Sequence, residues 1–70
     1  MGFIRLRVRE LAQEKGWTLK EVSDFSEIPY STVKNYAQAP RLTTVDYTAL
    51  QKLARVFEIS IEDVVEVLEE

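Results

Sequence analysis

The sequence predicts an all-α fold: five short helices packed into one globule, the second and third of them forming a helix-turn-helix. Three observations carry that expectation. Apolar residues recur at three- and four-residue spacing through most of the chain. Capping residues stand ahead of those runs, namely Thr18, Asp46 and Ser60. Between residues 18 and 37 two helical patterns are separated by a turn of about three residues, the spacing of a helix-turn-helix.

Seventy residues predict a single domain spanning 1–70. At this size folding buries only about 60 % of the chain's surface, so every helix must contribute to a small core. The chain has no cysteine and no histidine, which removes disulfides, thiol nucleophiles and the usual zinc-ligand sets. No apolar run approaches the roughly 18 residues of a membrane span, the start MGFIRLRVRE has no signal-peptide apolar region, and Leu6 stands where a myristoylation signal needs Ser or Thr. The expectation is a cytoplasmic, nucleoid-associated protein without a membrane partner.

The first helix is expected over residues 3–15. Ile4, Val8, Leu11 and Ala12 fall at i, i+4, i+7 and i+8, and Gly16 follows as a C-cap. Arg5 and Arg9 then share an outward face with Gln13, either as a solvated face or as phosphate contacts. The second helix, 19–26, starts from a capping box in which the Thr18 hydroxyl and the Glu21 carboxylate exchange bonds with each other's amides, with Trp17 and Val22 as a staple. Ser23 sits where the two helices of the motif approach, and its small side chain permits a close crossing. Glu27 falls at the turn position where a left-handed backbone is needed. Phe25 is open to two readings, a partly buried satellite of the core or an exposed contact for a partner.

The third helix runs over 29–38. Pro29 presets its first turn, Val33 and Tyr36 give it a buried edge, and Ala39-Pro40 ends it. Its remaining residues Tyr30, Ser31, Thr32, Lys34 and Asn35 form a polar face with one cation and no acid, which suits the edges of bases in a major groove. The loop PRLTTV adds Arg41, Thr43 and Thr44, again without an acid, a composition suited to phosphate oxygens.

Asp46 caps a fourth helix, 47–57, whose expected buried stripe is Tyr47, Leu50, Leu53, Ala54 and Phe57, leaving Lys52 and Arg55 to water. Ser60 caps a fifth helix continuing to residue 68, with Ile61, Val64, Val65 and Leu68 inward and Glu62 and Asp63 at its positive end. Val67 and Leu68 leave an apolar edge that a symmetric dimer could use.

The net charge of −3 is unevenly spread. Residues 61–70 hold five carboxylates and no cation, so the first sixty carry nine positive against seven negative charges, 9 − 7 = +2. That excess allows a basic patch with weak sequence-independent affinity for nucleic acid. The carboxylates lie on helix exteriors, no nucleophile–base pair is present and no glycine-rich loop could cradle a phosphate, so no enzyme, catalytic residue, cofactor, metal or small-molecule ligand is expected.

The order of elements resembles the DNA-binding domain of the phage-repressor and Cro class, the XRE family, with its five-helix lambda-repressor-like fold. The resemblance covers nearly the whole chain, in IRLRVRELAQEKGWTLKEVS for helices one and two, IPYSTVKNYA for the recognition helix, and TALQKLARVFEISIEDVVEVL for the final pair. By that similarity the base-reading positions fall on Tyr30, Ser31 and Asn35, with Thr32 beside them. The phosphate-contacting start of helix two falls on Thr18 and Leu19, with Lys20 next to them and Lys34 on the recognition helix. The family often has glutamine at Leu19 and glycine at Glu27, Ala39 and Glu58. The resemblance implies a sequence-specific transcriptional regulator, a repressor that binds a palindromic operator in double-stranded DNA as a homodimer, one that could form only on DNA, through Val67 and Leu68. The alternative is a protein-interaction module, an antitoxin or adaptor, on the same fold with weak or lost DNA binding.

Overall fold

The computed structural model describes residues 3–68. Met1 and Gly2 of the start, and Glu69 and Glu70 of the acidic end, lie outside the described residues. The elements are β1 (Phe3–Leu6), α1 (Val8–Lys15), α2 (Leu19–Ser26), α3 (Tyr30–Gln38), α4 (Tyr47–Phe57), α5 (Ile61–Val64) and β2 (Val65–Leu68).

Five helices form, but the two ends of the described chain are strands, which corrects three expectations at once: a wholly α fold, a first helix from residue 3, and a fifth helix reaching residue 68. β1 and β2 pair antiparallel in the register Phe3↔Leu68, Ile4↔Val67, Arg5↔Glu66 and Leu6↔Val65. Ile4, Leu6 and Val8 alternate with Arg5, Arg7 and Arg9, a period of two, and Val64, Val65 and Val67 are β-branched. The Ile4-to-Val8 spacing fits either period. The strand wins because each segment supplies hydrogen-bonding partners for the other.

Side chains lock that pairing. The Arg5 guanidinium donates from Nε to Glu66 at 2.8 Å and from Nη2 to Glu10 at 2.5 Å, so Arg5 is held between β2 and α1 and shares no helix face with Arg9 and Gln13. The bond from Arg5 holds the Glu10 carboxyl below its ordinary pKa of 4.5, and the same two carboxylates push the guanidinium up. Arg7 bonds through its backbone N–H to the Val64 carbonyl at 2.8 Å and through Nη1 to the Asp63 carbonyl at 2.7 Å, tying the start of α1 to α5.

The core consists of Leu6, Val8, Leu11, Ala12, Val22, Ile28, Val33, Ala49, Leu53, Ala54, Phe57 and Val64. Every element but β2 contributes a buried residue, as the small core requires. The expected stripe of α4 is rotated at its start. Ala49 is buried, Leu50 is half-buried and Tyr47 is 62 % exposed, because at about 100° per residue Ala49, Leu53 and Phe57 share one face and Tyr47 falls to its side.

The helix-turn-helix follows its local chemistry. Both bonds of the capping box form, from the Glu21 N–H to the Thr18 hydroxyl at 3.1 Å and from the Thr18 N–H to the Glu21 carboxylate at 2.8 Å. Ser23 and Ser26 are buried in the turn. The Ser23 hydroxyl donates to the Ile28 carbonyl at 2.6 Å, and Ser26 accepts from the Ile28 N–H at 3.3 Å. Glu27 takes the left-handed conformation the sequence requires, with φ 62° and ψ 27°. Glu58, which closes α4, has φ 59°, whereas Ala39 is extended with φ −68° and has no need of glycine.

Candidate nucleic-acid interface

α3 buries Val33, and Thr32, Tyr36 and Ala37 are half-buried, while Tyr30, Ser31, Lys34, Asn35 and Gln38 are exposed. At about 100° per residue the five exposed positions fall within an arc of about 140°. The arc is continuous, carries one cation and has no acid. Its side chains are a phenol, a hydroxyl, an ammonium and two amides, which supply both hydrogen-bond donors and acceptors.

Three of the four residues expected to contact bases, Tyr30, Ser31 and Asn35, lie on this arc. Thr32 is turned from it and lines a groove against α4 with Pro29, Tyr36, Asp46 and Thr48. Gln38 is not among the sequence-predicted residues, yet it occupies the middle of the arc; its spacing of seven from Ser31 is the signal that finds it. Tyr30 is 43 % exposed and stands at the first turn of α3.

The residues expected to hold phosphates are placed in two groups. Thr18, Leu19 and Lys20 are at the N-terminus of α2, where the first backbone N–H groups have no intrahelical acceptor and the helix dipole favours an anion. The Leu19 side chain packs on the core, leaving its N–H as the group it can offer. Lys20 lies 3.8 Å from Asp24 in an exposed pair one turn along the helix. The capping carboxylate of Glu21 adds a negative charge beside this group.

The second group is the loop after α3. Leu42 anchors it to β1 by exchanging backbone bonds with Ile4 at 2.7 and 2.9 Å, so Thr43 and Thr44 are exposed on a tethered segment rather than on a loose one. The Arg41 guanidinium lies over the Phe3 ring at 4.0 Å. This stacking fixes its direction. Lys34, by contrast, projects from α3 without an ion pair among the described residues.

Val67 is 73 % exposed and Leu68 is half-buried. Both are on β2, so the apolar edge expected on a fifth helix is a strand edge. Phe25 is 53 % exposed and sets its ring edge against Trp17 at 4.9 Å, and Trp17 in turn stacks on Phe57 at 5.6 Å. Phe25 thus both packs on the core's margin and presents a face to solvent.

A helix pair closed by a tight left-handed turn, with a polar arc on the second helix, is the geometry of major-groove recognition. The profile of the Cro/C1-type HTH DNA-binding domain matches residues 7–70. The chain belongs to this family. Searches of curated proteins and of solved structures return no match. The Cro/C1-type match covers α1 through β2 and all the candidate residues above. Among the described residues no helix is long and apolar enough to cross a membrane, and no group of acidic residues is placed to hold a metal ion.

Proposed function

We propose that this Cro/C1-type domain is a sequence-specific transcriptional regulator that binds a palindromic operator as a homodimer and represses by occluding a promoter. The observation that carries the reading is the exposed arc of α3, polar and free of acid. On this reading Tyr30, Ser31 and Asn35 contact bases, and Asn35 pairs bidentately with the N6 and N7 edge of adenine. Lys34, Lys20, Thr18, the Leu19 N–H, Arg41, Thr43 and Thr44 hold phosphates and fix the register, which they can do without carrying sequence information. Thr32 supports the recognition helix from its α4 side. The protein acts in the cytoplasm, on the nucleoid.

Dimerisation enters because one recognition helix reads few base pairs, and a module of this size buries too little surface for tight specific binding alone. The Val67–Leu68 edge of β2 supplies the contact between copies. Selection of binding sites from a random duplex pool tests the whole reading: enrichment of two inverted half-sites about 34–36 Å apart, one helical turn, is expected. Failure to enrich any sequence, with no retention on random duplexes at low salt, would favour a protein-interaction role, to which the exposed Phe25 and the charge of −3 also lend themselves.

A further inference from the structure

Tyr30, Ser31 and Asn35, to which the reading above gives the bases, all lie in the first two turns of α3. Gln38 ends the helix in its third turn. It is exposed, and its side-chain amide makes no hydrogen bond among the described residues. Seven positions after Ser31, it stands about 20° from that residue around the helix and about 10 Å further along the axis. Gln38 therefore falls inside the arc bounded by Tyr30 and Asn35, on the line that Ser31 begins.

Along that side of the helix the polar side chains lengthen turn by turn. Ser31 ends in a hydroxyl on Cβ, Asn35 in an amide one carbon further out, and Gln38 in the same amide with one more methylene. A helix-turn-helix reads bases from the N-terminal end of its second helix, so the base edges recede from the backbone toward the C-terminal end. A base contact from the third turn needs the longest reach, and Gln38 has it. The next residue, Ala39, leaves the helix with an extended backbone at φ −68°, so Gln38 is the last position whose direction the helix fixes. No acid on α3 repels the phosphates on either side or competes for the N–H donors of the amide.

We propose that Gln38 is a specificity-determining residue whose amide pairs bidentately with an adenine next to the base pair read by Asn35. The carbonyl oxygen accepts from the adenine N6 amino group, and the amide N–H donates to N7. Asn35 and Gln38 are separated by about 4.5 Å of helical rise, more than one base-pair step of about 3.4 Å and less than two. They thus address neighbouring base pairs. The inference rests on the reading of α3 as the recognition helix and adds one base position to each half-site.

The test takes the parent chain, Gln38→Ala, Gln38→Glu and Asn35→Ala through site selection from a random duplex pool. Each protein is then titrated on the parent's selected duplex and on single-base changes of it. Gln38→Ala should lose preference at one position per half-site, by about 5- to 150-fold in relative affinity, beside the different position lost by Asn35→Ala. Gln38→Glu should move the preference at its position from adenine to cytosine, whose N4 amino group donates to a carboxylate. A merely structural role would not exchange one base for another, and circular dichroism checks that each variant keeps its helices. Equal weakening on every duplex with the parent's preferences intact would assign Gln38 to a phosphate, and unchanged binding of Gln38→Ala would leave it a solvated residue. Either result overturns the proposal while leaving α3 as the reading helix. If the parent itself enriches no sequence, the reading of α3 fails and the proposal fails with it.

Discussion

Replacing Glu27 and Glu58 with glycine should stabilise the protein, by an amount set by the backbone at each position. Glu27 closes α2 with φ 62° and Glu58 closes α4 with φ 59°. A left-handed conformation costs a residue with a Cβ about 1–2 kcal/mol. Glycine relieves that cost but gains freedom in the unfolded chain, which returns about 0.5–1 kcal/mol. The net gain is about 0.5–1 kcal/mol at each site, from the difference of those two terms. Glycine retains the backbone bonds that close the helices, from the Glu27 N–H to Ser23 at 2.9 Å and from the Glu58 N–H to Arg55 at 3.2 Å. The two sites cap different helices, so their effects should nearly add, giving about 1–2 kcal/mol for the double variant. In a domain of this size that raises the melting temperature by about 4–16 °C. Thermal melts followed by far-ultraviolet circular dichroism measure it. Glu27→Ala and Glu58→Ala keep the Cβ and should gain little, and the two Glu→Gln variants isolate the charge. Glycine variants that melt no higher than their alanine counterparts would refute the argument from backbone strain.

Asn35→Ala should flatten base preference at one position per half-site, a loss of about 1–3 kcal/mol of discrimination, with little change in salt dependence. Lys34→Ala should weaken selected and scrambled duplexes alike and lower the salt slope by about one; binding titrations on both duplexes at two salt concentrations separate these, and the reverse pattern would mean α3 lies rotated in the groove. The Arg5–Glu10 contact makes stability depend on acid. The folded carboxyl titrates below its ordinary 4.5, so its contribution is present above that pH and is lost as pH falls through the folded value. Glu10→Gln should therefore be less stable than the parent at neutral pH, by no more than about 1 kcal/mol for so exposed a pair, and the difference should close in acid; denaturant unfolding across pH 3 to 7, an interval of about four units around the carboxylate pKa range, shows whether it does.

The sequence by itself determined the features made within a few residues. Thr18 with Glu21, Asp46 with Thr48, Ser60 with Asp63, and the left-handed Gly16 and Glu27 each involve groups no more than four positions apart. Their geometry depends on local backbone and side-chain chemistry, so helix starts, helix ends and the turn of the motif can be read from the chain. Four of the five residues expected on the exposed face of α3, Tyr30, Ser31, Lys34 and Asn35, are legible for the same reason, since burial follows from the spacing of Val33 and Tyr36, whereas Thr32 is turned aside and Gln38 was not among them.

Only the tertiary structure decided what depends on partners far along the chain. Residues 3–8 satisfy helical and extended spacing together, and the choice falls to β2, which brings Glu66 to Arg5 across 61 positions. Without a paired strand the four residues of β1 have no ladder, and without β1 the valines of β2 could continue α5. The same pairing commits Arg5 to Glu66 and Glu10 and moves Val67 and Leu68 from a helix to a strand edge. Packing of α3 on α1 and α2 leaves Thr32 beside the groove toward α4, and a buried stripe through Ala49, Leu53 and Phe57 leaves Tyr47 exposed. In each case the physical reason is that a side chain's direction is set by the element it packs against, and local periodicity leaves that neighbour unspecified.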